Sequence, residues 1–97
     1  MQQELIILSE YCVRSNIEPS FVLLLEEEGM IHITIQEGTE YLYTSEIKDL
    51  ERFSRMYYDL SINPAGIDAI EHLLARIGKM QAEIVQLRKR LNIYEDE

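Results

Sequence analysis

The sequence predicts a mainly α-helical chain with one small β-hairpin and a long C-terminal helix, and three observations predict it. Apolar residues fall at helical spacing in two short stretches before residue 29, each ended by a turn residue, Asn16 or Gly29. The period changes to two between Met30 and Tyr43, the pattern of a half-buried hairpin. Beyond Asn63 an apolar seam repeats in heptads almost to the last residue. The 97 residues suffice for one compact head, expected over 1–62, and a protruding helix over 63–97 that continues from it. So small a head buries a limited fraction of its surface, and pairing with a second copy would help to stabilise it.

Leu5–Leu8 is a short apolar run, a strand or the entry to a first helix. Ser9 is a candidate N-cap with Glu10 in the first turn. Helix one then runs to about Ser15, with Tyr11, Cys12 and Val13 as buried positions. Asn16 tolerates the left-handed conformation of a tight turn, and Ile17 follows as a turn hydrophobe. Glu18 and Pro19 open helix two, which carries Phe21, Val22, Leu24, Leu25 and Glu28 and stops at Gly29. Two short helices joined by a brief turn form a helix-turn-helix unit. Ile31, Ile33 and Ile35 then alternate with His32, Thr34 and Gln36, Glu37-Gly38-Thr39 turns the chain, and Glu40–Tyr43 returns. That hairpin has the dimensions of a wing. Thr44 or Ser45 is expected to cap a third helix, whose core face is Ile47, Leu50, Phe53, Tyr57 and Leu60.

Asn63 is the expected N-cap of the long helix and Pro64 occupies its first turn. The a positions are Ile70, Ile77, Ile84 and Leu91, and the d positions are Leu73, Met80, Leu87 and Tyr94. Ile67, Ile70, Leu73 and Leu74 are expected to fold back on the head. From Ile77 onward nothing further in the chain is there to cover the stripe, so a partner helix from a second copy is expected. In a parallel pair Glu83 would face Arg88, and Arg90 would face Glu95, but exposed ion pairs contribute only a few tenths of a kcal/mol. The direction of pairing is left open.

The formal net charge is −9, and its distribution is uneven. Between Ser15 and Ile47 there is no Lys or Arg, whereas Glu18, Glu26, Glu27, Glu28, Glu37, Glu40 and Glu46 fall there. A purely acidic third of the chain repels phosphate backbones and attracts basic protein surfaces. The single cysteine, Cys12, excludes an intrachain disulfide and fits a reducing compartment. Leu5–Leu8 is too short for a signal h-region and lacks a basic n-region, and no apolar run approaches a membrane span, so a cytoplasmic protein is expected.

Catalytic chemistry finds no foothold. Glu26-Glu27-Glu28 is no carboxylate dyad, because consecutive helical residues point in different directions. His32 and His72 lack ligand spacing to one another or to a Cys or Asp, and no phosphate loop or nucleophile elbow is present. Neither a cofactor nor a metal is expected.

Several stretches resemble the MerR-like winged-helix group. Leu8-Ser9-Glu10-Tyr11-Cys12 is similar to that group's opening "IGELA". Ile17 falls at its turn hydrophobe, and Glu26 with Gly29-Met30-Ile31 at its "E…GLL". Tyr43-x-Ser45-Glu46-x-x-Asp49-Leu50-Glu51-Arg52 resembles its "Y…DLERL" after the wing. DNA-binding members carry Arg on the second helix and in the second wing strand, where this chain has Leu23-Leu24-Leu25 and Tyr41. With that loss, a short chain ending in a coiled-coil helix resembles the CbpM family of chaperone modulators. The stretches Asp59-Leu60-x-Ile62-x-Pro64-x-Gly66-Ile67 and Gln86-Leu87-Arg88-x-Arg90-Leu91 are similar in spacing and type to that family's C-terminal half.

The resemblance implies a non-enzymatic homodimer that binds the J-domain of a CbpA/DnaJ-type co-chaperone and blocks its interaction with DnaK. The candidate partner-binding residues are Leu24, Glu27, Glu37, Glu40 and Tyr41, apolar anchors within a charged rim. The candidate pairing residues are Ile70, Leu73, Ile77, Met80, Ile84, Leu87 and Leu91. The rival expectation is a MerR-like DNA-binding regulator, which would need Lys48, Arg52 and Arg55 to contact phosphates from one helix face. The charge makes DNA the less expected partner.

Overall fold

The computed structural model describes residues 4–95. Strand β1 (Leu5–Ile7) runs directly into helix α1 (Leu8–Ser15), and α2 (Pro19–Glu27) follows after a three-residue turn. Strands β2 (Ile33–Gln36) and β3 (Thr39–Tyr43) form the hairpin, and β1 adds to its other side, giving an antiparallel sheet of order β1-β3-β2. A tight 3-10 turn (Thr44–Glu46) leads into α3 (Ile47–Ser54), which widens into a π-helical segment (Arg55–Asp59). The last element is the 32-residue α4 (Pro64–Glu95).

Local chemistry fixes these boundaries. Asn16 sits at φ 55° and closes α1, with its own amide and that of Ile17 returning to the carbonyls of Val13 and Cys12. Gly29, at φ 74°, closes α2 in the same way through Glu26 and Leu25. At the start of α4 the Asn63 Oδ1 accepts the Gly66 amide at 2.8 Å, the expected side-chain cap. A Cβ on Gly66 would come within 2.9 Å of Ile62 Cγ2, so that turn needs glycine.

The core is one cluster in which Phe21, Val22, Leu25, Ile31, Leu42, Leu50 and Ile67 are fully buried. Cys12 lies inside it, 2 % exposed, and burial pushes its thiol pKa up. Phe21 stacks on Tyr57 at 4.3 Å between centroids and meets Tyr58 edge-on, which ties α2 to the π-helical segment. The Tyr58 hydroxyl also accepts the Glu18 amide at 2.9 Å, which satisfies one of the donors at the start of α2.

Several expectations are corrected. Ile7, not Ser9, occupies the N-cap position of α1, because the chain enters the helix straight from β1. Val13 is 83 % exposed, since Leu8, Tyr11 and Cys12 already define the buried stripe and Val13 lies one step of about 100° beyond it. β2 begins at Ile33 rather than Met30, and Ile35 is 67 % exposed where the hairpin projects past the core. Neither Thr44 nor Ser45 caps α3 through its side chain; the Thr44 hydroxyl instead donates to the Glu4 carbonyl, prolonging the β1–β3 pairing. Leu60 is 66 % exposed because the widened turn before it shifts the helical phase.

The long helix leaves the head sooner than expected. Ile67 is buried and Ile70 half-buried, but Leu73 and Leu74 are already 54 % and 48 % exposed. From His72 to Ile93 every residue is exposed, and α4 projects as a stalk. The radius of gyration is 18.6 Å, where a compact chain of this length would have about 12–13 Å. The last seam position, Tyr94, and the Arg90–Glu95 pairing lie outside the described side chains.

Candidate functional site

Two surfaces of the head carry the side chains of interest. On α2, Phe21, Val22 and Leu25 face the core, whereas Leu23 and Leu24 are 40 % and 41 % exposed. Of the three consecutive leucines only Leu25 is buried, because Phe21, Val22 and Leu25 complete the core-facing stripe of this helix. Glu27 is exposed at the end of this helix. At the hairpin tip Glu37 and Gly38 have φ of 51° and 79°, both positive, as a two-residue type I′ turn demands. Glu37 therefore adopts a backbone that Asn or Gly would take with less strain. The tip leans towards the start of α2, and Pro19, Ser9, Leu8, Gly38 and Glu40 line one shallow depression. Leu24 and Glu27 lie farther down α2, about 7 and 12 Å along its axis from Pro19.

The five expected contact residues do not share one face. Leu42 points into the core, so strand alternation sends Glu40 the same way as Leu42 and sends Tyr41 through the opposite face. Pairing then determines Tyr41's neighbours: Ile7 and Thr34 lie opposite it, and Leu5 lies opposite Tyr43. Leu5, Ile7, Tyr41 and Tyr43 are all half-buried, and none belongs to the core cluster or to the side chains packed against it. The sheet thus presents an apolar and aromatic outer face. Leu5, Ile7 and Tyr43 were not among the expected contact residues. The signal was the matching alternation in 5–7 and 41–43, which could be used only once the partner of β1 was known.

Helix-turn-helix, wing and stalk are now all placed. The chain matches the family model of MerR HTH family regulatory proteins over residues 6–89. It belongs to that family. No curated protein and no solved structure matches it.

In this MerR-family head the polar contacts tie elements together and leave the surface acidic. Arg52 is gripped by Glu71 of α4: its Nε donates to Oε2 at 3.0 Å and its Nη2 donates to Oε1. Asp49 adds a third contact at 3.1 Å. These hydrogen bonds, Glu71's foremost, raise the Arg52 pKa further above its ordinary range. Lys48, Arg52 and Arg55 do lie along one side of the third helix, but the middle one is held by carboxylates. His32 is joined twice to Glu46: its amide donates to Oε1 at 3.1 Å and its ring Nδ1 meets Oε2 at 2.9 Å. That carboxylate raises the imidazole pKa from 6.5 and pins the entry of β2 to the turn after β3. His72 sits on α4 against its own helix, with Nδ1 at 2.8 Å from the Asp68 carbonyl.

Charge divides the molecule into two poles. Between Glu4 and Ile62 there are twelve carboxylates and four Lys or Arg; between His72 and Ile93 there are five Lys or Arg and one Glu. The head is acidic and the stalk basic.

Proposed function

We propose that the chain is a non-enzymatic, dimeric modulator that binds the J-domain of a CbpA/DnaJ-type co-chaperone and blocks its productive interaction with DnaK. The observation that carries this reading is the inversion of a MerR head. Where DNA-binding members present arginine, this chain has exposed Leu23 and Leu24 on α2 and half-buried Tyr41 on the outer face of the sheet, and Arg52 is committed to Glu71. The sequence resemblance to CbpM supplies the partner class. The mechanism is competition: the acidic head covers the basic helix that a J-domain would otherwise offer to DnaK. Long-range attraction speeds encounter and disfavours anionic partners, and apolar anchors slow release. A second copy covers the stalk seam from Leu73 to Leu91.

The test is a calorimetric titration of the full chain with an isolated J-domain, alongside J-domain-stimulated ATP hydrolysis by DnaK. Tight binding with loss of stimulation is expected. The double variant Glu37→Lys/Glu40→Lys should slow association and steepen its loss, and an unchanged affinity would remove the wing tip from the interface. Membership of the MerR family keeps DNA as the rival partner. A salt-sensitive mobility shift with any duplex would favour it, and no shift at low salt would dismiss it.

A further inference from the structure

We propose that the outer face of the sheet, centred on Ile7, Tyr41 and Tyr43, seats a basic amphipathic helix of a partner protein. The inference rests on the J-domain reading only for the identity of that helix. A sheet with one solvated face normally alternates apolar inward and polar outward. Here the inward set is Ile6, Ile33 and Leu42, yet the outward set on β1 and β3 is again apolar or aromatic. Register places Leu5 beside Tyr43 and Ile7 beside Tyr41, so the four half-buried side chains form one contiguous patch. Tyrosine in such a setting combines large contact area with a polar end, the usual anchor of a protein interface.

The size of the patch suits a helix. The patch stands on two strands about 4.8 Å apart, and Thr34 of β2, opposite Tyr41, widens the face to about 10 Å, the width of one helix. The paired stretches 5–7 and 41–43 extend about 10 Å, about two helical turns. The rim decides the sign of the partner. Glu46, whose carboxylate also bonds His32, lies beside Tyr43 in the depression lined with His32 and Ser45, and Glu4 directly precedes β1. No Lys or Arg occurs from Ser15 through Ile47 or in residues 4–8. Carboxylates around an aromatic floor fit a helix with an apolar stripe flanked by Lys and Arg, and they repel a phosphate backbone.

The experiment is a titration of the full chain, labelled at Ile and Leu methyls and Tyr rings, with the isolated J-domain and separately with a three-turn Lys/Leu amphipathic peptide. The expected result is that Leu5, Ile7, Tyr41 and Tyr43 resonances move together. Tyr41→Ser should weaken binding roughly ten- to thirtyfold, while Val13→Ser, at an exposed position of α1, stays within about twofold. The wild-type titration needs no variant to fold. Movement confined to Leu23 and Leu24 would overturn the assignment. So would Ile7 signals that shift with protein concentration alone, which would give the face to the basic stalk of a second copy. Binding of the peptide at this face without the J-domain would sink the J-domain reading and keep the inference; movement with neither probe would sink both.

Discussion

Replacing Leu87 by alanine perturbs the stalk seam and nothing in the head. In one chain Leu87 is 61 % exposed, and Ile84 and Leu91, one turn to either side, are 48 % and 55 % exposed. Leu87→Ala should therefore change the folding of the single chain by only about 0.5 kcal/mol or less. In a pair, a second helix covers what is now open. Truncating a fully packed leucine costs about 2–5 kcal/mol, and somewhat over half of this side chain is left for a partner to cover. The expected loss is about 1–3 kcal/mol per copy and about 2–6 kcal/mol per pair. The dimer dissociation constant should rise at least about thirtyfold and by up to about twenty-thousandfold. Sedimentation equilibrium over a wide concentration range measures it directly, with Lys89→Ala, on the far side of the helix from the seam, as control. A mass equal to one chain for the wild type at every concentration would refute the reasoning. Equal weakening by Lys89→Ala would refute the register.

Glu71→Ala should destabilise the head by about 1–2 kcal/mol after allowance for solvent screening, because Arg52 and Glu71 are 37 % and 22 % exposed at the side chain. At that cost the melting temperature falls by about 4–8 °C per kcal/mol, and an unchanged melt would show the ion pair to be idle. His32 should titrate above 6.5, and Glu46→Gln should bring its midpoint back towards 6.5, as followed by ring proton shifts. A raised folded-state pKa means this contribution is present in full below pH 6.5 and disappears as pH rises through the folded midpoint. Thermal stability that increased across that window on account of His32 would contradict the assignment. Glu37→Asn should stabilise the fold by up to about 1 kcal/mol and so raise the urea midpoint, because asparagine accepts a left-handed φ more readily; a lower midpoint would mean the glutamate side chain stabilises the turn.

The elements that sequence made legible are those with a single dominant local signal. Asn16 and Gly29 stop helices because few other residues adopt positive φ, and Asn63 with Pro64 starts one, so these three boundaries could be read directly. The heptads of α4 were equally plain, but where the stalk leaves the head was not. Leu73 has the same type and spacing as Ile67, and only the position of α3 decides which of them is covered. The widened turn at Arg55–Asp59 was invisible because hydrophobic spacing assumes a constant pitch, and Leu60 was misplaced for that reason. The candidate site was read by residue type and not by face. Glu40 and Tyr41 are neighbours in sequence and point through opposite sides of a sheet whose third strand, β1, had no predicted partner.

Surface charge can vary on a MerR-family head without changing its fold. The core of Phe21, Leu25, Leu42, Leu50 and Ile67 is indifferent to the sign of the surface. Nucleic-acid affinity, by contrast, depends on how many phosphates are neutralised, and each lost contact lowers both the affinity and its salt dependence. With Arg52 bonded to Glu71 and Asp49, the third helix has only Lys48 and Arg55 to set against a head bearing twelve carboxylates. Such a surface weakens phosphate contacts, and its carboxylates attract basic groups within a Debye length, about 8 Å in physiological salt. On the proposed reading, the apolar outer face of the sheet and the acidic charge of the head would favour the same partner, a basic amphipathic helix.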